Sequence, residues 1–455
     1  MLASLNRFLE VAVGYAWGMP LVVLLIGSGA FFCLYLRLRP LLHIGHATAV
    51  TLGKYDSPDD PGHISHFQAL STALAATIGV GNIGGVAIAV TQGGAGAVFW
   101  MWVAAFVGMA TKFCSCTLSQ IYRRPDERGA LQGGPMYTIE LGLGRKFKPL
   151  AIMFCSFGLV GCLPMFQSNQ VAELLEAQLA VPPLWTGLAC VGLVALVAFG
   201  GVERIGAVTA RFVPVMCLLY LGMAICVLVI RSEVAVDVFG RIFRGAFTGT
   251  AATGAAIGIG FQQALMIGVR RAAFSNEAGL GTAPIAHGAA KTNEPVREGL
   301  VAMLGPFIDT IVVCSLTAFV ILSSGLETVG EISGVSLTAD AVQSTLGMPG
   351  RVLLVLIVMM FAVSTMVSYS YYGKRCFAYL FGAKSARFYT WLYLIGLFGG
   401  AIGDVETVVN LIDSALALMA MPNLIATLLL APKVKQAAFD YFDRLRAGGR
   451  VVAGP

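Results

Sequence analysis

Leu74 to Gly85 reads Leu-Ala-Ala-Thr-Ile-Gly-Val-Gly-Asn-Ile-Gly-Gly, a set of glycines and polar groups inside an otherwise apolar run. Gly79 and Gly81 can take the backbone out of helical geometry beside a cavity. A helix broken there exposes the amides that open its second half, whose partial positive charge suits a carboxylate. The carbonyls freed just before the break, around Ala75 and Ile78, can instead ligate a cation. Thr77 and Asn82 add side-chain oxygens. A Gly-x-Gly also serves plain helix packing where membrane spans touch, and this stretch alone leaves the two readings even.

A second group complements it. Ala362-Val363-Ser364-Thr365 places two hydroxyls and a carbonyl in the middle of another apolar run, with Ser368 one turn on. Hard oxygens without formal charge suit an alkali cation better than zinc or copper. Serine and threonine in spans often bond their own helix instead. The motif takes its weight from pairing with the first break.

The elements that must position these groups belong in lipid. Of 455 residues, 57% are hydrophobic and 12% charged, against about 25% charged in soluble domains. Apolar runs of roughly twenty residues recur along the chain, and the 54 glycines lie largely within them. The net charge of +6 comes from dispersed basic residues without interleaved aromatics, which argues against nucleic acid. The ten cysteines have no zinc-ligand spacing and read as buried free thiols. No catalytic His/Asp/Glu cluster or nucleophile elbow accompanies the runs, so an enzyme ranks low, as does a passive channel.

The chain reads as an all-α membrane protein with about eleven transmembrane helices. The expected spans are 18–36, 68–91, 95–121, 149–170, 184–200, 212–230, 248–269, 298–323, 350–373, 388–403 and 407–431. The first reads as a retained span, not a signal peptide. With loop 37–67 cytoplasmic, twenty-four basic residues fall inside and five outside, so the N-terminus is expected outside and the C-terminus inside the cell's inner membrane. Setting aside residues 1–67 (a peripheral span and loop) and 433–455 (a cytoplasmic tail) leaves two halves, 68–230 and 231–432. Five spans in each give the halves opposite topology, a five-plus-five inverted repeat with two broken helices. The second break is expected in Gly254-Ala255-Ala256-Ile257-Gly258-Ile259-Gly260, matching the first. Paired broken helices point to a transporter's midplane site.

With these residues in view, the chain resembles the alanine or glycine:cation symporter family. The resemblance rests on Ala75 through Ile83, Phe99-Trp100-Met101-Trp102, Gly133-Gly134-Pro135-Met136-Tyr137, Ser275-Asn276-Glu277-Ala278-Gly279-Leu280-Gly281 and Met421-Pro422-Asn423-Leu424. It covers nearly the whole chain and implies a leucine-transporter-like fold and sodium-coupled symport of a small neutral amino acid, alanine or glycine. The implied roles follow the motifs. Gly79 and Gly81 would offer amides to the substrate carboxylate beside Thr77. Ala75, Ile78, Ala362 and Thr365, with Ser364, would surround one sodium ion, and Asn82 and the Thr77 carbonyl would lie near any second one. Gly258, Gly260, Phe261 and Gln262 would close the pocket around the amino group and side chain, with Gln167 and Tyr369 in its wall.

Three departures concern that wall. Tyr369 stands where many members have tryptophan, Leu163-Pro164-Met165-Phe166 differs from the usual Gly-Asn, and Leu416-Ala417 replaces Asn-Gly. The cation motif is intact. The implied partners are a small neutral amino acid, co-transported sodium and membrane lipid, with the chain read as a monomer.

Several other residues bear on coupling. Asp309 lies near the middle of its span, where a carboxylate marks an ion path or a buried partner. Proton-coupled uptake through Asp309 is the alternative to sodium. Asp413, nearer the outer face, reads as structural. Lys112 is expected to snorkel to the inner surface. The pairs His43/His46 and His63/His66 lie in a loop without cysteine and do not read as a metal site. Ser275-Asn276-Glu277 is expected to cap and pack a cytoplasmic gate.

Overall fold

The computed structural model describes residues 13–57, 59–126, 129–248, 260–328 and 334–447. The expected all-α membrane architecture is borne out. Among the described residues, seven helices are long and apolar enough to cross a membrane, or eight if one bent pair is a single span. The expected count of eleven is not reached on that criterion. The other spanning positions hold shorter helices, among them Pro183–Ala198 and Ala386–Ile402. Leu34, Leu196, Leu218, Val229 and Ile395 lie exposed on these helices, an arrangement that lipid makes favourable and water does not.

The first interrupted span starts where sequence chemistry dictates. Ser65 caps the helix His66–Thr77 through the Gln68 N–H, and the Gln68 side chain accepts from the Ser65 N–H, so two of the helix's free amides are satisfied reciprocally. The helix stops at Ile78, whose backbone is extended. It resumes over Gly81–Gly93, first as a π-helical turn across Gly81–Gly85, and the two parts are bent by 54°.

Gly258 and the rest of the expected second break, 254–260, lie outside the described residues except for Gly260, which is extended, and an interruption is found further along the chain. The helix Phe261–Asn276 runs unbroken, and the chain leaves helical geometry at Glu277, Gly279 and Gly281, with φ of +54°, +93° and +95°. A short helix, Ala283–His287, follows. Glycine is needed at 279 and 281 because a Cβ disfavours that left-handed region. Beyond Thr248, the described part of the expected span 248–269 is the extended Gly260 and the start of Phe261–Asn276. The amphipathic helix Ala235–Thr248 precedes it and lies against the start of Gly96–Ile121, where the Trp100 Nε1–H donates to the Ala246 carbonyl at 3.2 Å.

Two further spans differ in outline. The expected 149–170 is Lys148–Gly161 followed by Met165–Leu179, with a break at Cys162 to Pro164. The expected 350–373 belongs to a longer stretch, Gly334–Phe381, kinked at Gly347 (φ +67°) just before Pro349.

At the end of the bundle where His66 lies, the approaches to the two interrupted spans are stitched together. The N–H groups of His63 and Lys291 donate to the Ala289 and Ile64 carbonyls at 2.8 Å each, and Thr292 N–H donates to Pro61 at 3.2 Å. Arg123 donates to the Pro61 and Ala290 carbonyls at 3.0 and 3.1 Å and also to that of Thr292. These bonds join the two approaches directly.

Candidate substrate and cation site

At the first break, oxygens from two elements converge. The hydroxyls of Ser364 and Thr365 both donate to the Ala75 carbonyl, at 3.2 and 3.0 Å. Each also reaches back to Phe361 within its own helix, the bland behaviour expected of such residues, so the cross-helix contact exists alongside it. Ile78, three residues after Ala75, and Ala362, two before Ser364, are fully buried. Gly79 packs so closely that a Cβ there would lie 2.6 Å from Thr365 Oγ1. The break and the hydroxyl pair are one site.

Asn82 organises the turn. Its Oδ1 accepts the Gly79 N–H at 2.9 Å, and its Nδ2 donates to Asp309 Oδ1 at 2.6 Å. The Gly79 amide, expected to face a carboxylate, is therefore engaged by Asn82. Thr77, also buried, turns its hydroxyl to the Leu74 carbonyl at 3.4 Å.

Asp309 lies in the π-helical stretch Phe307–Cys314 and is completely buried. Besides Asn82, Ser275 and Thr310 donate to its Oδ2 at 2.8 and 2.7 Å, and Asn276 donates to Thr310 at 3.0 Å. One carboxylate thus ties the first break to the end of Phe261–Asn276, where the second break begins. Of the triplet Ser275-Asn276-Glu277, expected to cap and pack a gate, Ser275 shares the Asp309 carboxylate with Asn82. Glu277 accepts from Tyr369 and Thr282, which places Tyr369 at the second break.

Lys112 does not snorkel. It is 2% exposed, and its Nζ lies 3.2 Å from where a Cβ on Gly305 would stand. Glu277 and Asp309 are its acidic neighbours. Asp413, expected to be structural, pairs with Arg271 at 3.2 Å and with Arg270. Both arginines sit within the helix Phe261–Asn276 and not in a loop.

The apolar wall comes from Phe274 and Phe166. A Cβ on Gly81 would meet the Phe274 ring at 3.3 Å, and the two rings pack edge to face with centroids 5.3 Å apart. Gln167, next to Phe166, is buried with no protein partner for its Oε1 among the described residues. Gly260, Phe261 and Gln262 are not brought to the break. They begin the helix that ends at Asn276, about 22 Å away at 1.5 Å per residue. Phe261 is 43% exposed and packs on Trp100. The signal that could have located the second break was present: Gly279-Leu280-Gly281 repeats the pattern of Gly79-Val80-Gly81 and follows a polar triplet in an apolar chain.

Two interrupted helices meeting inside a bundle of apolar spans, with main-chain and hydroxyl oxygens gathered at the break, define a membrane transporter and not an enzyme. The chain belongs to the sodium:alanine symporter family, whose sequence pattern it matches over residues 2–453. It is 42% identical to the sodium/alanine symporter AgcS of Methanococcus maripaludis over 92% of this chain and 93% of that protein. It is 35% identical to a Bacillus subtilis protein named "Probable sodium/glutamine symporter GlnT", over 98% and 93%. Its fold is similar to that of MhsT, solved in complex with L-phenylalanine, with a TM-score of 0.57 and 14% identity over 80% of this chain and 89% of that one. The fold is therefore of the leucine-transporter kind, as expected.

Proposed function

We propose that the protein carries a small neutral amino acid, alanine or glycine, into the cell with sodium by alternating access. The observation that carries this reading is the meeting of the Ala75 carbonyl with the Ser364 and Thr365 hydroxyls directly beside Gly79. Sodium, a hard cation, would take these three oxygens together with the carbonyls of Ile78 and Ala362. The substrate carboxylate would lie at the amides following Gly79, toward Gly81, where a helix start favours an anion. With Phe274 against Gly81 and Phe166 behind it, room for the substrate side chain is short, which favours alanine or glycine over a bulky residue. Gln167 and Tyr369 would complete the wall.

Coupling follows from shared structure. Sodium and substrate would each stabilise the same ordered turn at residues 75–82, so each would favour the other's binding. Asp309, with three donors on its carboxylate, would hold the two breaks in register and not carry a proton. We assign residues 68–230 and 231–432 as the two repeat halves. We place the protein in the inner membrane with its C-terminus cytoplasmic, on the positive-inside asymmetry.

The test is uptake of labelled alanine and glycine by proteoliposomes under a sodium gradient, a potassium gradient or a pH gradient alone. The proposal expects accumulation with sodium only, and competition by small residues but not phenylalanine. Equal accumulation under the pH gradient without sodium would assign the coupling to protons.

A further inference from the structure

At this end of the bundle, one carboxylate joins the two interrupted spans and uses two of the chain's five histidines. Glu298, near the start of Pro295–Pro306, is completely buried. Its Oε2 is bonded to His66 Nδ1 and its Oε1 to His287 Nδ1, the latter at 2.5 Å. His66 is the first residue of His66–Thr77, and His287 the last of Ala283–His287. An ionised carboxylate can only accept, so each imidazole donates its Nδ1–H. The Nε2 atoms of both rings are then left as acceptors, buried and without a hydrogen-bond partner among the described residues.

The two rings are not equivalent. His66 Nε2 lies 3.8 Å from Asp56 Oδ1, whereas among the described residues His287 pairs with Glu298 alone. Of the described residues, the other charged or titratable groups around the cluster are Arg297 beside Glu298, with Arg123 and Cys116 from the neighbouring helix and its end. Arg123 is engaged with main-chain carbonyls.

We propose that His66, Glu298 and His287 are positioning residues that latch this face shut during transport, and that a proton on His66 Nε2 tightens the latch by bridging Glu298 and Asp56. The inference rests on alternating access by the two interrupted spans. A protonated His66 donates from both ring nitrogens, to Glu298 on one side and toward Asp56 on the other. When the helices part, the ring loses both acids and its proton affinity returns toward that of a free imidazole. The closed state thus binds the proton more tightly, and acid favours it over the open one. Opening releases the proton.

Exchange of labelled for unlabelled alanine across proteoliposomes, with sodium and pH equal on both faces, tests this without a driving gradient. The wild-type exchange rate is expected to fall between about pH 8 and pH 6, by at most about tenfold per pH unit, the limit for one linked proton. His66→Asn keeps a donor for Glu298 but takes no proton, so its profile flattens. His287→Asn keeps the slope. Asp56→Asn removes the outlying acid at a half-exposed position and moves the fall to lower pH, which serves if His66→Asn does not fold. A flat wild-type profile overturns the latch, as does a wild-type profile in both His66→Asn and Asp56→Asn. Absence of alanine exchange at every pH would count against the transport reading instead.

Discussion

The Thr365 hydroxyl donates to the Ala75 carbonyl at 3.0 Å, joining two positions 290 residues apart. Neither group is special alone, since a hydroxyl in a span commonly bonds its own helix. Their meeting at a broken helix makes a place for a cation. Replacing Thr365 by alanine should raise the sodium concentration needed for half-maximal uptake by about tenfold or more, taking about 1.5–3 kcal/mol for a bond to a charged partner. Thr365→Ser should keep most of the wild-type sodium dependence. Sodium titrations of uptake at fixed alanine check both.

Gly79→Ala tests the same site from the other side. A Cβ there would lie 2.6 Å from Thr365 Oγ1, so the hydroxyl must swing away or the helices must part. Overpacking of this kind costs about 1–3 kcal/mol. The variant should lose sodium-dependent alanine binding while still folding, measured as loss of the alanine-induced rise in Tm with the unliganded Tm lowered by a few degrees.

Asp309→Asn separates positioning from proton carriage. An amide offers one acceptor oxygen where the carboxylate receives Asn82, Ser275 and Thr310. At least one buried donor is then left without a partner, at a cost of about 1–3 kcal/mol. The expected outcome is weaker alanine and sodium binding together with a lower Tm. Uptake that stayed sodium-driven and lost only a pH-gradient component would assign Asp309 to proton transfer instead.

Gly281→Ala addresses the second interruption. Its φ of +95° disfavours a side chain, and a Cβ would lie 2.6 Å from the Phe154 ring and 2.9 Å from Pro135. The strain alone is about 1–2 kcal/mol, with overpacking added. The variant should melt well below wild type, and valine there should be worse than alanine. Thermal unfolding in detergent reads this directly.

The sequence by itself determined the solvent, the all-α architecture and the first break. Those properties are local: hydrophobicity over a window fixes membrane residence, and a glycine pair within an apolar run marks a weak helix. The hydroxyl pair at 364–365 could be paired with that break because both lie midway along spans. What the tertiary structure decided were the relationships between distant segments. It showed a break at Glu277–Thr282, where polar residues that read locally as a loop are stabilised inside the bundle by Asp309, Thr310 and Tyr369. It buried Lys112 near two acids where hydropathy expected a surface contact, and gave Asp413 two arginine partners. It also made one cluster of His66, Glu298 and His287, residues with no shared motif, because burying a charge is tolerable only where partners converge in three dimensions.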